Sequence, residues 1–166
     1  MIQRYFRSMT ILEPVWADLI LSLYPQAQYR LSMDRTNWKT GRKDVNYLVL
    51  AVIIKKTAIP VYWKVLPKKG NSTSGERIEI IKKFIKNHGA EKIDFLTADR
   101  EFGSQEFVQY LLKHSIPFCI RVRNDCTISK ENPKAIGLSA KVYLKRLKYG
   151  KKLVLQQCYI WGLPVS

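Results

Sequence analysis

Two acidic residues stand where the pattern of the chain calls for something apolar. "YRLSMD" alternates Tyr29, Leu31 and Met33 with Arg30, Ser32 and Asp34, a strand pattern that ends on a carboxylate. "KIDFLTAD" ends the same way, on Asp99. Two carboxylates at neighbouring strand ends repel, and one tends to hold a proton. A divalent cation removes the conflict, and hard oxygen ligands suit Mg²⁺ or Mn²⁺. Two such ions ~3.5–4 Å apart can activate a water or a 3′-hydroxyl and stabilise the leaving oxygen of an in-line phosphoryl transfer. The plainer alternative stays open: a terminal Asp also serves as a helix cap or loop solvator, and Asp99 opens the loop before Ser104.

The elements that would position these acids can be followed along the chain. "LEPVWADLILSLY" (12–24) places Leu12, Val15, Trp16, Leu19, Ile20, Leu23 and Tyr24 on a helical period, with Thr10 as cap and Pro25 as stop. Strands are expected at 29–34, 45–54 and 58–66, joined by short connections into an antiparallel meander. Pro60 assigns the third to an edge or a strand start. Thr73 and Glu76 form a capping box for a helix carrying Ile78, Ile81, Phe84 and Ile85, closed by Gly89. A strand at 92–99, a helix capped by Ser104 and a strand at 116–122 complete a β-β-β-α-β-α-β order. Each helical crossover returns the chain parallel, so the expectation is an α/β fold with a mixed sheet flanked by helices. The first strand lies centrally and the fourth beside it, which brings Asp34 and Asp99 to one rim of the sheet. Beyond Arg123 the texture changes to turns and short strands. "AKVYLKRL" and "KLVLQQCYI" read as strands of a β-rich appendage over 124–166.

Charge points the same way. The 166 residues carry 29 Lys and Arg against 13 Asp and Glu, a formal +16, an excess suited to a polyanion and first of all to nucleic acid. Between Arg121 and Lys152 stand ten basic residues against Asp125 and Glu131. No apolar run approaches the ~20 residues of a membrane span, and the first residues lack the apolar core of a signal peptide. Cys119, Cys126 and Cys158 make no CxxC pair and read as reduced thiols of a cytoplasmic protein. His88 and His114 fall near helix ends and read as C-terminal helix cations.

"DRTNWKTGRKDVNYLVLAV", "AIPVYWKVLPKKGNSTSGERIEIIKKFIKNHG", "IDFLTADREFGSQEFVQYL" and "IPFCIRVRND", in that order, resemble the insertion-sequence transposases of the DDE superfamily, closest to the IS-four group. The resemblance implies an RNase H-like catalytic core over 29–123, preceded by the end of an N-terminal helical region (1–28). It implies that Asp34 and Asp99 are the first and second catalytic, metal-binding carboxylates, that Mg²⁺ or Mn²⁺ is the cofactor, and that double-stranded DNA at transposon ends is the partner. Arg100 is then a candidate phosphate contact. Trp38 and Lys39 are candidates to stack on or pair with a strand end, and Arg121, Arg123, Lys145 and Arg146 to track the DNA backbone.

One part of the pattern is missing. The family's third ligand is a Glu on a helix after a β-rich insertion, within Y-x2-R-x3-E. Here Tyr143 and Arg146 have the spacing, but the next slot is Gly150, in what reads as strand and turn. Glu101, on a loop, and Glu106, on the next helix, are poor substitutes. The chain therefore reads as truncated at both ends, with a partial insertion over 124–166 and weak or no catalysis. The rival expectation is a non-enzymatic DNA-binding remnant that self-associates or pairs with, and inhibits, an intact transposase. An appendage cut mid-sheet would also leave an open strand edge.

Overall fold

Alternation along β1 (Tyr29–Thr40) sorts its side chains between two faces: Tyr29, Leu31 and Met33 are buried, while Arg30 and Asp34 are exposed. The computed structural model describes residues 12–40, 43–66, 70–130, 132–145 and 147–165, with the side chains of 37–40 and 43–44 outside that description. β1 pairs antiparallel with β2 (Lys43–Ile54), and β2 with β3 (Thr57–Leu66). β4 (Ile93–Ala98) lies parallel to β1, and β5 (Phe118–Ile120) parallel to β4. The sheet order is β3-β2-β1-β4-β5. This is the mixed sheet that the β-β-β-α-β-α-β order led one to expect, with β1 central and β4 beside it, in the RNase H-like arrangement that the resemblance implies.

Local chemistry explains the punctuation. Pro60 sits on the outer strand at a bulge: Leu50 pairs with Tyr62 and Ala51 with Pro60, so Val61 is the extra residue. Helix α1 spans Glu13–Leu23, α2 Ser74–His88 and α3 Gln105–Lys113. At α2 the Glu76 N–H donates to Thr73 Oγ1 (3.2 Å) and the Thr73 N–H to Glu76 Oε2 (2.6 Å), the reciprocal box read from the sequence. Gly89, at φ 90°, closes the helix. Leu31, Leu48, Leu50, Tyr62, Ile80, Ile81, Phe84, Leu96, Phe102, Phe107 and Leu111 form the dry centre. No described helix is long and apolar enough to cross a membrane.

Several expectations need correction. On α1 the buried positions are Ala17 and Ile20, flanked by Trp16 and Leu21, whereas Leu12, Val15, Leu19 and Leu23 are exposed. Polar contacts fix that rotation: Lys83 Nζ donates to Glu13 (2.8 Å), and the Trp16 indole N–H donates to the Pro60 carbonyl (2.7 Å). Thr10 lies outside the described residues, and the N-cap position is Leu12. At α3, Ser104 holds the N-cap position without a side-chain cap; its hydroxyl instead meets that of Ser74 at 2.9 Å.

His88 is no helix cation. Its side chain is 9% exposed and its Nε2 meets the Tyr62 hydroxyl at 2.8 Å. Burial pushes its pKa down, with Asp18 only partly opposing, so the neutral ring is favoured. His114 follows α3 directly and is exposed.

The appendage has a second sheet, order β7-β6-β8-β9, made of Thr127–Ser129 (β6), Leu138–Ser139 (β7), Cys158–Ile160 (β8) and Leu163–Val165 (β9). "AKVYLK", expected as a strand, is helix α4 (Ala140–Lys145). The Ala140 N–H donates to the Cys126 carbonyl and the Lys141 N–H to that of Asn124, both at 2.8 Å, which anchors the first turn. Ala140 and Tyr143 then face the small core at helical spacing; so short a stretch fits either period. Tyr143 is thus on a helix, not a strand. Of the second expected strand only Cys158–Ile160 pairs. Cys158 is buried, Cys126 half-buried and Cys119 exposed, all free.

Candidate functional site

Asp34 does not end its strand. β1 runs six residues further, paired only with β2, where Asp34 faces Val49. What ends near Asp34 is the parallel ladder to β4, whose last rung is Met33–Ala98. Asp34 is the first residue above that rung on one strand and Asp99 the first on the other. Asp99 is still extended (φ −78°, ψ 170°), so the two acids continue the face that carries Ser32 and Thr97. Adjacent strands run about 4.8 Å apart. Both acids are exposed.

Each acid is held by its own chain. Asp99 Oδ1 accepts from the Arg100 N–H at 2.7 Å, capping a 3-10 turn over Arg100–Phe102; the capping alternative read from the sequence is present here. Asp34 Oδ1 accepts from the Arg35 N–H, also at 2.7 Å, with no helix to cap. Arg121, just past β5, approaches Asp99 Oδ1 at 3.2 Å.

A layer of side chains supports this rim. The Arg35 guanidinium forks onto Glu101, Nε to Oε1 and Nη2 to Oε2, both at 3.0 Å. That hydrogen bond, more than the opposing burial, raises the Arg35 pKa. Arg35 also reaches Asn71 (3.4 Å), and Asn46, 4% exposed, donates to the Gly70 carbonyl at 2.9 Å. Arg77, 5% exposed, donates from Nε to Ser72 Oγ (2.9 Å), from Nη1 to the Phe102 carbonyl (3.0 Å) and from Nη2 to the Ser72 carbonyl. Burial pulls its pKa down while the field of Glu101 opposes. The Gly70–Thr73 connection is thus pinned on both sides, and the Thr73 and Glu76 N–H groups at the start of α2 are already taken by the capping box.

The remaining candidates fall into two places. Arg100 and Arg123 line a cavity of about 470 Å³ with Asn71 and Glu101, adjoining one of about 610 Å³ that reaches Tyr159 and Trp161. Arg123 Nε also meets Asp125 at 3.3 Å. Lys145 is exposed at the end of α4, and Arg146 lies outside the described residues. Trp38 and Lys39 stand on the two-stranded part of the β1–β2 hairpin, opposite Val45 and Asp44; their side chains are outside the description. Sequence reading passed over Arg35, Asn46 and Asn71 and gave Arg77 no role. One signal was present: Arg77 falls on the apolar stripe of Ile81 and Phe84. Among the described residues, no group of three or more His, Cys, Asp or Glu could hold a metal ion.

No family model matches the chain, and no curated protein matches it. Among solved structures it is similar to a chain of the simian T-cell lymphotropic virus intasome in complex with the PP2A regulatory subunit B56 gamma, at 16% identity over 58% of this chain and 35% of that one, TM-score 0.46. It is similar to the HTLV-2 integrase catalytic core domain in complex with magnesium, at 21% identity over 58% of this chain and 62% of that one, TM-score 0.42. It is also similar to the Mos1 mariner transposase catalytic domain, at 9% identity over 66% of this chain and 59% of that one, TM-score 0.40. The chain thus spans between 35% and 62% of the length of these three.

Proposed function

We propose that the chain carries the DNA strand-cleavage and strand-transfer core of a DDE transposase of the insertion-sequence, IS-four type, with residues 29–123 as the catalytic sheet and 124–166 as its appendage. The carrying observation is the Met33–Ala98 rung, which puts Asp34 and Asp99 in step on adjacent parallel strands. The donor set suits Mg²⁺ or Mn²⁺: two exposed hard carboxylates are as many protein ligands as Mg²⁺ ordinarily takes, water supplying the rest. Asp34 and Asp99 would hold the ion, which when bound supplies Lewis-acid stabilisation of a phosphoryl group and a more acidic water or 3′-hydroxyl.

The chain's own part is to bind and orient DNA. Arg121, 3.2 Å from Asp99, and Arg100 and Arg123, which line the cavity beside Glu101, offer phosphate contacts, and Lys145 extends the positive surface along the appendage. With Asp34 and Asp99 as the two ligands and no three-acid cluster among the described residues, in-line geometry is loosely fixed and cleavage is slow.

Nicking of supercoiled plasmid in Mn²⁺ is the direct test. Slow nicking that disappears in Asp34→Asn and in Asp99→Asn is expected; nicking that persists in both removes these acids from the chemistry. The second reading, a DNA-binding remnant that pairs with an intact transposase, is favoured by the net charge of +16 and by the lack of a three-acid cluster among the described residues. DNA binding with no nicking selects it.

A further inference from the structure

The backbone ladder that sets Asp34 beside Asp99 stops one residue short of both, at Met33–Ala98. Above the acids the two chains are joined again, this time through side chains. Arg35, next after Asp34, closes its planar fork on Glu101, in the turn after Asp99, with two bonds of 3.0 Å. The pair is sheltered, at 13% and 25% side-chain exposure, unlike an ordinary surface ion pair. Arg77 steadies the same turn from α2 through the Phe102 carbonyl.

We propose that Arg35 and Glu101 are positioning residues that act as an added rung, bracketing Asp34 and Asp99 between a backbone bond below and a guanidinium–carboxylate fork above. The inference rests on the reading of the two acids as a cation site. A fork fixes both distance and angle between the chains, which a lysine point charge does not. Its engagement with Glu101 also argues against Arg35 as a free phosphate ligand.

The test is Mn²⁺ binding to the full chain, followed by the paramagnetic resonance signal of free Mn²⁺, with thermal unfolding measured in parallel. Arg35→Lys should bind about tenfold more weakly, as supporting partners of metal ligands do, with an almost unchanged unfolding midpoint. Arg35→Glu and Glu101→Arg should each weaken binding, and the doubly swapped chain should recover most of the loss. Wild-type affinity in Arg35→Lys, or a double swap no better than the poorer single variant, overturns the proposal. If Arg35→Lys fails to fold, Glu101→Gln carries the same expectation, and unchanged affinity there overturns it. The underlying reading fails differently: Mn²⁺ affinity is then the same in wild type, Asp34→Asn and Asp99→Asn, and the positioning role falls with it.

Discussion

Asp34 and Asp99 each accept a 2.7 Å hydrogen bond from the backbone N–H of the arginine that follows them, one residue above a shared rung. The same local geometry is thus built twice, on adjacent strands. Because both side chains are exposed and asparagine keeps the accepting oxygen, Asp34→Asn and Asp99→Asn should change stability by no more than about 0.5 kcal/mol in urea unfolding. Loss of nicking in either variant is then a loss of chemistry, not of fold.

The basic surface should reveal itself through salt. Arg123 is exposed and lines the cavity beside the site. Arg123→Ala should reduce the slope of log affinity against log salt for duplex DNA by about 0.9, without altering preference among sequences. Fluorescence anisotropy between low and moderate salt reads that slope, and an unchanged slope takes Arg123 off the phosphate path.

His88 should make stability depend on pH. Its folded pKa lies below the ordinary value of 6.5, so the unfolded chain binds the proton more readily. The stabilisation is complete above 6.5, begins to fall as pH drops through it, and is gone below the folded value. Urea unfolding at pH 7.5, 6.0 and 5.0 should show that fall, and His88→Gln should flatten it. An equal fall in the variant assigns the effect elsewhere.

Trp161 should hold the small sheet to the large one. Trp161 and Gly162 form a two-residue turn between β8 and β9, both at positive φ (53° and 76°). The turn brings the indole against Gly103, where an added Cβ would meet Trp161 Cη2 at 3.1 Å, and the Trp161 carbonyl accepts from Gln105 at 3.0 Å. Trp161→Ala should speed tryptic cleavage after Arg121 and Arg123, with Gly103→Ala milder. Equal rates in wild type and Trp161→Ala would show that the contact does not restrain this segment.

How legible this was in the sequence depended on which force decides each element. Period-2 alternation from Tyr29 to Met33, the Thr73–Glu76 box and the unusable nitrogen of Pro60 are local signals, and the meander, α2 and the edge strand followed from them. Two crossovers then left little freedom for β4 and β5. The outward face of α1 was misread because Glu13 and Trp16 turn the helix through contacts with Lys83 and Pro60, distant in sequence. His88 gave the same difficulty, and Arg35 and Arg77 drew no notice: a charged or titratable residue shows no sign of burial until its remote partners are known. Over 140–145, six residues were too few for periodicity to choose helix over strand.

Among the described residues every outer strand is a poor template. β3 is interrupted by the Pro60 bulge, β5 has three residues, β7 two, and β9 carries Pro164. On the proposed reading as a DNA-binding core, a chain of +16 would collect at high local density on the polyanion. Crowded copies would then meet as separate molecules, with no long uninterrupted edge among the described residues on which one could zip to the next and set off fibre growth.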